Sequence, residues 1–381
     1  MYVIKHVPED FVVEEVPVIK PSSSGKHLLF LLEKRNRTTQ EVVSFLRARF
    51  GLRQSDIGFA GSKDKRAVTK QFITIRSKKG LSRDFNFKDF KLKFLGFTDH
   101  RLLLGDLLGN NFRIVVRNVN PNMIGDLMPV FPKQDFVFFP NYFGEQRFSK
   151  DNFDIGVAFL KKKFDVALSL IMKTLNNERL IKRLDLKLEK SPNDFLGCLR
   201  LLPKELLLLY IHSVQSLIFN KTLALLLKEK EKEVNNHNSK SERSGSFVVP
   251  VGGVDLYFPS QGVLKQFFNK DLPIIGFATK VINKDDKQSQ EQSLNNLWNI
   301  ALEKQVSMLE SLGLDQKNFL IKQAPELSVE GSSRKAVVRA ERFSFSVDND
   351  EFNPGMKKVT LSFFLPKGSY ATIFIKYLFK C

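Results

Sequence analysis

The amino-acid sequence predicts an α+β fold with a mostly antiparallel sheet, and three observations support this class. The chain up to Val119 consists of short β-rich runs and one clear helical segment. From about Asp151 the apolar residues follow helical spacing, and after about Gln323 the β character returns. A β-rich start, a helical middle and a β-rich end predict one fold that is interrupted by an inserted, largely helical domain.

The first part of the chain predicts several strands around one helix. Alternating apolar residues indicate strands at residues 11–18, 27–33, 71–76, 91–97 and 112–119. A helix is predicted over Thr39–Phe50, because Thr38 or Thr39 can cap its start and Gly51 can end it. Short β-rich runs with one clear helix indicate α+β structure with a mostly antiparallel sheet.

The second part predicts helices first and strands again at its end. Helical spacing occurs at residues 153–164, 166–176, 203–233 and 294–312. Two polar stretches, 229–246 and 284–296, predict exposed loops or frayed helix ends. Strands follow at 337–347 and 358–365, and a short closing helix begins at Tyr370.

The charge indicates a polyanionic partner. The 381 residues include 60 Lys and Arg against 41 Asp and Glu, which gives a formal charge of +19. Such an excess favours nucleic acid or an acidic membrane surface. An apolar share of 43% is too high for a disordered chain, and the 36 Phe residues suit a core and base stacking.

Cysteine and histidine are too few and too scattered for a metal centre. The two Cys and five His form no zinc-binding pattern, so no zinc site is expected. The N-terminus has no apolar signal core, and the most apolar stretch, 206–227, is interrupted by polar residues. We therefore expect a soluble cytoplasmic protein that does not cross a membrane.

The first candidate for chemistry is the segment 58–71, in which Asp64 lies among Lys63, Lys65 and Arg66. Cations close to a carboxylate favour its ionised form. An ionised carboxylate in a glycine-containing turn is a plausible nucleophile for covalent sugar chemistry. The alternative is a solvated charged hairpin. A phosphate-binding P-loop is excluded, because the Lys is followed by Asp64 instead of Ser or Thr.

The second candidate is the segment 108–114, where amide residues lead into a strand. Asn110 could hydrogen-bond the edge of a base, and Phe112 could stack on one. The alternative is an ordinary turn before a strand whose Phe belongs to the core.

Two further segments combine aromatic residues with a glycine turn. Segment 140–148 places three aromatic residues around a Gly beside Arg147, a mixture that RNA-binding proteins use, although a turn at a domain border would look similar. In segment 365–372, a Gly-Ser turn starts the last helix and leaves free N–H groups for an anion. Tyr370 is then expected at the helix start, exposed or stacked.

Together these elements resemble the TruD family of tRNA pseudouridine synthases. The family's loop Ala-Gly-x-Lys-Asp-Lys-x-Ala-Val-Thr-x-Gln is matched from Ala60 to Gln71, and three later elements follow in the family's order at Gly109, Asn141 and Leu365. A helix around 212–220 also resembles the family's insertion. The opening signature, a Lys followed by Pro-x-Asp-Phe-x-Val-x-Glu, is matched by Lys5, Pro8, Asp10, Phe11, Val13 and Glu15, or Glu14 in a shifted alignment.

The chain departs from the family near its last helix. The Arg-Glu pair that the family usually carries one turn after the final Ala-Thr is replaced by Lys376 and Tyr377. The charge is therefore kept at the first position and lost at the second.

The resemblance implies a domain organisation. A pseudouridine-synthase catalytic domain would comprise residues 1–147 and 324–381, and an inserted, largely helical TRUD domain would comprise 148–323. RNA would be expected in the cleft between the two.

The resemblance also implies an activity: isomerisation of a tRNA uridine to pseudouridine, at position 13 in the D-arm, without a cofactor or an obligate protein partner. Asp64 would act as nucleophile or base on a flipped-out uridine, and Lys5 would be its ion-pair partner. The residues implied to line the uracil pocket are Phe11, Asn110, Phe112 and Tyr370. The cations expected to contact RNA are Lys63, Lys65, Arg66 and Arg147.

Two other classes of protein are compatible with the charge. A non-catalytic RNA-binding protein or RNA chaperone would explain the charge and the aromatic residues, but gives no reason for Asp64 inside a basic loop. A protein that binds membrane surfaces would need a basic helix with a continuous apolar face, which the sequence lacks.

Overall fold

The computed structural model describes residues 2–76, 80–127, 135–148, 151–237, 246–282 and 289–380. Their contacts divide the chain into two compact units, each made of two segments. Unit 1 comprises Met1–Val137 and Arg339–Ala371, and unit 2 comprises Phe138–Val338 and Thr372–Cys381. The sequence predicts different domain limits, with an insertion over residues 148–323. Those limits remain a prediction.

The strands are, in chain order, β1 (Val3–Ile4), β2 (Phe11–Pro17), β3 (His27–Arg35), β4 (Ile57–Phe59), β5 (Val68–Arg76), β6 (Phe85–Asn86), β7 (Phe90–Thr98), β8 (Leu107–Val119), β9 (Phe136–Pro140), β10 (Phe247–Val251), β11 (Val254–Phe258), β12 (Asp271–Ile274), β13 (Ser332–Lys335), β14 (Val337–Asn349) and β15 (Lys357–Pro366). The helices are α1 (Thr39–Phe50), α2 (Pro121–Leu127), α3 (Asn152–Leu160), α4 (Phe164–Thr174), α5 (Glu178–Lys190), α6 (Phe195–Leu199), α7 (Lys204–His237), α8 (Gln261–Phe267), α9 (Ser289–Ser311) and α10 (Ala371–Phe379).

The main sheet has the strand order β6-β7-β3-β5-β2-β8-β15-β14-β9, with β1 paired to β8 and β4 paired to β5. Its strand pairs β1–β8, β2–β8, β3–β5, β3–β7, β4–β5, β6–β7, β8–β15 and β14–β15 are antiparallel, and the pair β2–β5 is parallel. The predicted α+β fold with a mostly antiparallel sheet is therefore confirmed. The sheet joins the start of the chain to its end, because β8 lies between β2 and β15.

Helix α1 shows why the local sequence signals were sufficient in unit 1. The Thr38 hydroxyl accepts a hydrogen bond from the Glu41 N–H at 3.0 Å, and Gly51 ends the helix in the left-handed conformation at φ 62°. Val42, Val43 and Leu46 are buried on one face and join a core with apolar residues of β3, β5 and β7. The predicted limits and caps of this helix are confirmed.

Unit 2 contains a helical core around the long helix α7. Helices α3 and α9 pack against α7, and apolar residues of α3, α4, α6, α7 and α9 form one buried cluster. Strands β10 and β11 make a hairpin that turns at Gly252 and Gly253, both with positive φ. This glycine pair suits a tight hairpin turn, because it adopts positive φ without steric cost.

Several elements extend or add to the sequence-based prediction. Helix α7 continues to His237, and α9 begins at Ser289 within the second predicted polar stretch. Residues 238–245 and 284–288 of the two polar stretches lie outside the described residues. Strand β9, the β10–β11 hairpin and helix α5 had not been predicted.

Candidate active site

One face of the main sheet carries a set of polar and aromatic side chains. Residues that lie opposite each other on neighbouring strands project from the same face. Glu15 of β2 lies opposite Asn110 of β8, and Val13 lies opposite Phe112. We call this side of the sheet the site face; its members discussed below are Lys34, Gln71, Phe11, Glu15, Asn110, Phe112 and Phe363.

The loop Ala60–Ala67, here called the Asp64 loop, connects β4 to β5 and is fixed by the buried side chain of Lys34. The Lys34 ammonium donates to the backbone carbonyls of Arg37 at 2.6 Å and Asp64 at 2.9 Å. It also reaches the carbonyl of Lys63 at 3.4 Å. Burial lowers the pKa of Lys34 to about 8. A buried cation thus holds the backbone of the residue that the sequence singled out.

Thr39 and Gln71 hold the other half of the Asp64 loop. The Thr39 hydroxyl donates to the Gln71 side-chain oxygen at 2.8 Å and accepts from the Lys63 N–H at 3.0 Å. The Gln71 amide nitrogen donates to the Gly61 carbonyl at 3.1 Å. Both side chains are fully buried. The spacing between Gly61 and Gln71 in the motif is therefore explained by a hydrogen-bonded clamp beneath the loop.

Asp64 forms an ion pair with Lys5, as the resemblance had implied. The Lys5 Nζ lies 2.7 Å from Asp64 Oδ2, and the two side chains keep 18% and 35% of their exposure. The same ammonium lies 4.1 Å from the centre of the Phe11 ring. The Lys5 backbone is left-handed at φ 59°, which is uncommon for a residue other than Gly. The carboxylate is held by a cation and remains accessible from solvent.

A second charge cluster anchors the segment that carries Lys5 and Phe11. Buried Arg117 of β8 donates to Asp10, which precedes Phe11, at 2.9 Å. The same guanidinium reaches Asp350 at 2.9 Å. The Asp of the Pro-x-Asp-Phe signature therefore fixes the start of β2 to its neighbouring strand.

Lys63 has a different environment from the other cations of the Asp64 loop. Its ammonium lies 3.0 Å from Glu15 Oε2, and the side chains are 9% and 0% exposed. It also donates to Asn110 Oδ1 at 2.5 Å. The Glu15 carboxylate accepts a further hydrogen bond from the Phe72 N–H at 3.1 Å. By contrast, Lys65 is 57% exposed and pairs with Glu41.

Aromatic side chains stand beside this network. The Phe112 ring meets Phe11 edge-on, with centroids 6.2 Å apart, and stacks on Phe363 at 5.4 Å. Phe11 is buried, whereas Phe112 is partly exposed. The Gly109 of the Gly-Asn-x-Phe element allows close strand packing, because a Cβ there would lie 2.1 Å from the Leu365 carbonyl oxygen.

Tyr370 is partly exposed and immediately precedes α10. Leu365 lies opposite Asn110 on β8, and the Lys367 N–H donates to the Leu108 carbonyl at 3.0 Å. The turn that carries Tyr370 therefore leaves the sheet next to Asn110. Lys5, Phe11, Asp64, Asn110, Phe112 and Tyr370 all belong to unit 1.

The remaining cations of the prediction differ in position. Arg66 is exposed and donates to the His6 carbonyl at 2.8 Å, which links the Asp64 loop to the Lys5 segment. Arg147 belongs to unit 2, where its guanidinium lies 5.7 Å from the Phe143 ring centre. Phe143 is buried. Its backbone N–H donates to the Asn220 side-chain oxygen, and its carbonyl accepts from the Asn220 amide nitrogen.

At the departure from the family pattern, both residues have partners in unit 2. Lys376 lies 3.1 Å from the Glu145 carboxylate, and the Tyr377 hydroxyl accepts a hydrogen bond from the Gln261 amide at 2.6 Å. Tyr377, which stands where the family usually carries a charged Glu, thus makes a neutral hydrogen bond instead.

The sequence analysis missed Lys34, Thr39 and the role of Glu15. A signal was available for Lys34, because Leu28, Phe30, Leu32 and Lys34 alternate on the buried face of β3. Within the described ranges, no group of three or more His, Cys, Asp or Glu side chains could hold a metal ion. In the same part of the chain, no helix is long and apolar enough to cross a membrane.

Comparison with known proteins identifies the family of this chain. The TruD family, described as tRNA pseudouridine synthase D, matches residues 2–179, 158–241 and 291–378. A protein of Pyrococcus furiosus assigned as tRNA pseudouridine synthase D is 29% identical, over 99% of this chain and 95% of its own. The tRNA pseudouridine synthase D of Aquifex aeolicus is 28% identical, over 99% and 97%.

A crystal structure shows the same agreement over almost the whole fold. It is from Methanosarcina mazei, of a protein assigned as tRNA pseudouridine synthase D, and matches with a TM-score of 0.62 and 25% identity, over 99% of this chain and 93% of the other. The family match covers most of the chain, including every element of the site described above. The chain belongs to the TruD family of tRNA pseudouridine synthases.

Proposed function

We propose that this protein isomerises a uridine of tRNA, at position 13 in the D-arm, to pseudouridine, with Asp64 as the catalytic carboxylate. The observation that carries the proposal is the accessible Lys5–Asp64 pair, whose carboxylate lies on a loop held from below by buried side chains. A carboxylate that must meet a ribose needs a fixed position and an open side, and this one has both.

The reaction needs no net change in atoms or electrons. The N1–C1′ bond of uridine breaks, the uracil turns, C5 bonds to C1′, and the C5 proton leaves as N1 regains one. Asp64 serves either by attacking the ribose carbon or by assisting departure of the base. Lys5 orients the carboxylate in both cases, because its ammonium donates a hydrogen bond to it at 2.7 Å.

The aromatic side chains supply the walls that a flipped-out base requires. A base inside a stem must leave its stack to reach Asp64, and stacking on aromatic rings offsets part of that cost. Phe112 and Tyr370 are partly exposed and are the proposed stacking partners, while buried Phe11 supports both the Phe112 ring and the Lys5 ammonium. Asn110 is the proposed hydrogen-bonding contact to the uracil edge.

The charge of +19 supports a tRNA substrate. The exposed cations Lys65 and Arg66 flank Asp64 in the loop and are proposed to contact phosphates, together with Arg147. Lys and Arg that displace counterions make affinity salt-dependent, so log affinity should fall steeply against log salt. A flat dependence would mean that the charge serves another partner.

The test is incubation with unmodified tRNA followed by mapping of pseudouridine at single-nucleotide resolution. Wild type should modify the D-arm position, and Asp64→Asn should not, while its tRNA affinity changes by less than about tenfold because phosphate contacts dominate binding. Asp185→Asn, the same chemical change at an exposed residue of α5, is the matched control. Tight tRNA binding by wild type without any pseudouridine would favour the RNA-chaperone alternative.

A further inference from the structure

The Lys63–Glu15 ion pair lies on the site face. It is separate from the ion pair that Lys5 forms with Asp64. Its two side chains are 9% and 0% exposed, so the ammonium is unavailable to a phosphate of bound RNA. Burying two charges is costly unless their remaining hydrogen-bonding capacity is used. Here part of it is used: Glu15 Oε1 accepts from the Phe72 N–H, and Lys63 also donates to Asn110. Glu15 Oε2 is buried and has the ion pair with Lys63 but no hydrogen bond, so it depends on that cation.

The bond from Lys63 fixes which end of the Asn110 amide is oxygen. An ammonium group only donates hydrogen bonds, so the atom 2.5 Å from it must be the carbonyl oxygen of the amide. The other end of the same amide is therefore the NH₂ group. Among the described residues this NH₂ group has no hydrogen-bond acceptor, and Asn110 is partly exposed on the same strand face as Phe112.

We propose that Lys63, held by Glu15, is a specificity-determining positioning residue that makes Asn110 present a donor to the target base. This inference rests on the proposed function. A donor at that position matches a carbonyl oxygen of uracil and opposes the exocyclic amine of cytosine. Without Lys63 the amide can rotate by half a turn and present its oxygen instead, so discrimination at this edge is lost.

The arrangement also explains why one loop carries both residues. Lys63 and Asp64 are adjacent in sequence, and their backbone carbonyls are both bonded by Lys34. The Asp64 side chain pairs with Lys5, and the Lys63 side chain is sealed against Glu15. One rigid loop thereby positions the reacting carboxylate and, through Asn110, the group that contacts the base.

The experiment compares single-turnover rates on three tRNAs that carry uridine, 2-thiouridine or 4-thiouridine at the target position. Sulfur accepts hydrogen bonds more weakly than oxygen, so the carbonyl that meets the Asn110 NH₂ should be sensitive to the exchange. We expect wild type to act at least about fivefold more slowly on one of the two thio-bases, the scale of one neutral hydrogen bond.

The informative variant is Lys63→Met combined with Glu15→Gln. It removes both charges, avoids an unpaired buried carboxylate, and keeps an oxygen for the Phe72 N–H. Its rate ratio between uridine and the sensitive thio-base should approach one, as should the ratio of Asn110→Ala. Lys65→Met is the control from the same loop; it should slow all three substrates alike and keep the wild-type ratio.

The possible outcomes separate the two proposals. If wild type converts no uridine, the proposed function fails. If wild type converts uridine but is insensitive to both thio-bases, or if the double variant keeps the wild-type ratio, the role given to Lys63 is overturned while the function stands. A purely structural Lys63 would lower all three rates by one factor and leave the ratio unchanged. If the double variant does not fold, the single variant Glu15→Gln, which keeps Lys63, provides a second measurement of the rate ratio between uridine and the sensitive thio-base.

Discussion

Two lysine–carboxylate pairs each have one member on the Asp64 loop, and the two pairs have opposite surroundings. Lys5 and Asp64 are 2.7 Å apart and keep 18% and 35% of their exposure, whereas Lys63 and Glu15 are 3.0 Å apart and keep 9% and 0%. Distance alone does not distinguish them. The difference in exposure shows that the first pair is accessible to solvent and that the second is buried. In the proposed function the first pair meets the substrate, and the second positions the residues around it.

The largest expected effect on stability comes from breaking the buried Lys63–Glu15 pair. Lys63→Met leaves the Glu15 carboxylate buried without a cation, and we expect it to lower the free energy of unfolding by about 3–5 kcal/mol. Lys5→Met removes a cation from a partly exposed pair and should cost less than about 1 kcal/mol. Chemical denaturation of the two variants measures both values. Equal losses would contradict the distinction between the pairs.

The same Lys5→Met variant should show the reverse pattern in catalysis. Because Lys5 orients the carboxylate of Asp64, we expect its loss to slow a single turnover by roughly 10²-fold, about 2.7 kcal/mol. Affinity for tRNA should change little, since one internal ammonium is a small part of the total charge. Lys65→Met, an exposed cation of the same loop, is the matched control for charge. A rate within about threefold of wild type would remove Lys5 from the catalytic pair.

Variants of Phe112 and Tyr370 test whether a base-binding pocket lies beside the exposed Lys5–Asp64 pair. Truncation of Phe112 or Tyr370 to Ala should cost roughly 1–3 kcal/mol in turnover, the worth of a base–aromatic stack. Tyr370→Phe should be mild, because stacking needs only the ring. Thermal unfolding measured beside the rates separates stacking from packing: a core role would lower the melting temperature together with activity.

Lys34 supplies a test by pH, because burial lowers its pKa from 10.5 to about 8. Between these values the unfolded chain binds the proton and the folded chain does not, so the contribution of Lys34 to stability rises with pH. The stability difference between wild type and Lys34→Met should therefore shift in favour of wild type by about 1 kcal/mol from pH 8 to 9.

The effect of the same deprotonation on catalysis should have the opposite sign. A neutral amine has two N–H donors for the three carbonyls that Lys34 now contacts, so the Asp64 loop is held less firmly. The rate of wild type should fall above pH 8 while its stability contribution rises. Parallel changes in rate and stability would contradict this assignment.

The smallest expected effect is that of metal removal. Lys5 already provides the cation beside Asp64, so treatment with EDTA and dialysis should leave the rate within about twofold once tRNA folding is controlled with magnesium. If EDTA treatment abolished activity and zinc restored it, the Lys5–Asp64 pair would be only part of the site.

The sequence-based prediction of secondary structure was accurate for helix α1 and missed some local signals in unit 2. Helix α1 was predicted to the residue, because Thr38 and Gly51 act within one helical turn. The hairpin β10–β11 was missed although its Gly252–Gly253 turn is a local signal. Helix α5 was missed although Leu180, Leu184 and Leu188 recur at helical spacing and pack against the core of unit 2. These errors lie in unit 2, where the family motifs are sparse.

For the site, the motifs identified residues but could not separate their environments. Lys63, Asp64, Lys65 and Arg66 form one charged run in the sequence. Their exposure depends on partners that are distant along the chain, such as Glu15 for Lys63 and Lys5 for Asp64. The pairing of β2 with β8 places Glu15 opposite Asn110, and no local pattern encodes that register.

The position of β8 between β2 and β15 has a consequence for synthesis of the protein. The ribosome makes β2 and β8 early, but β15 begins only at Lys357. Until then one edge of β8 lacks its partner, and exposed strand edges favour aggregation. A chain that terminates early would contain Asp64, Lys5 and Asn110 yet lack Phe363 and Tyr370. Nascent and truncated chains would therefore carry Asp64 without the aromatic residues Phe363 and Tyr370. If the proposed function holds, we expect tRNA modification to begin only after the last strand has joined the sheet.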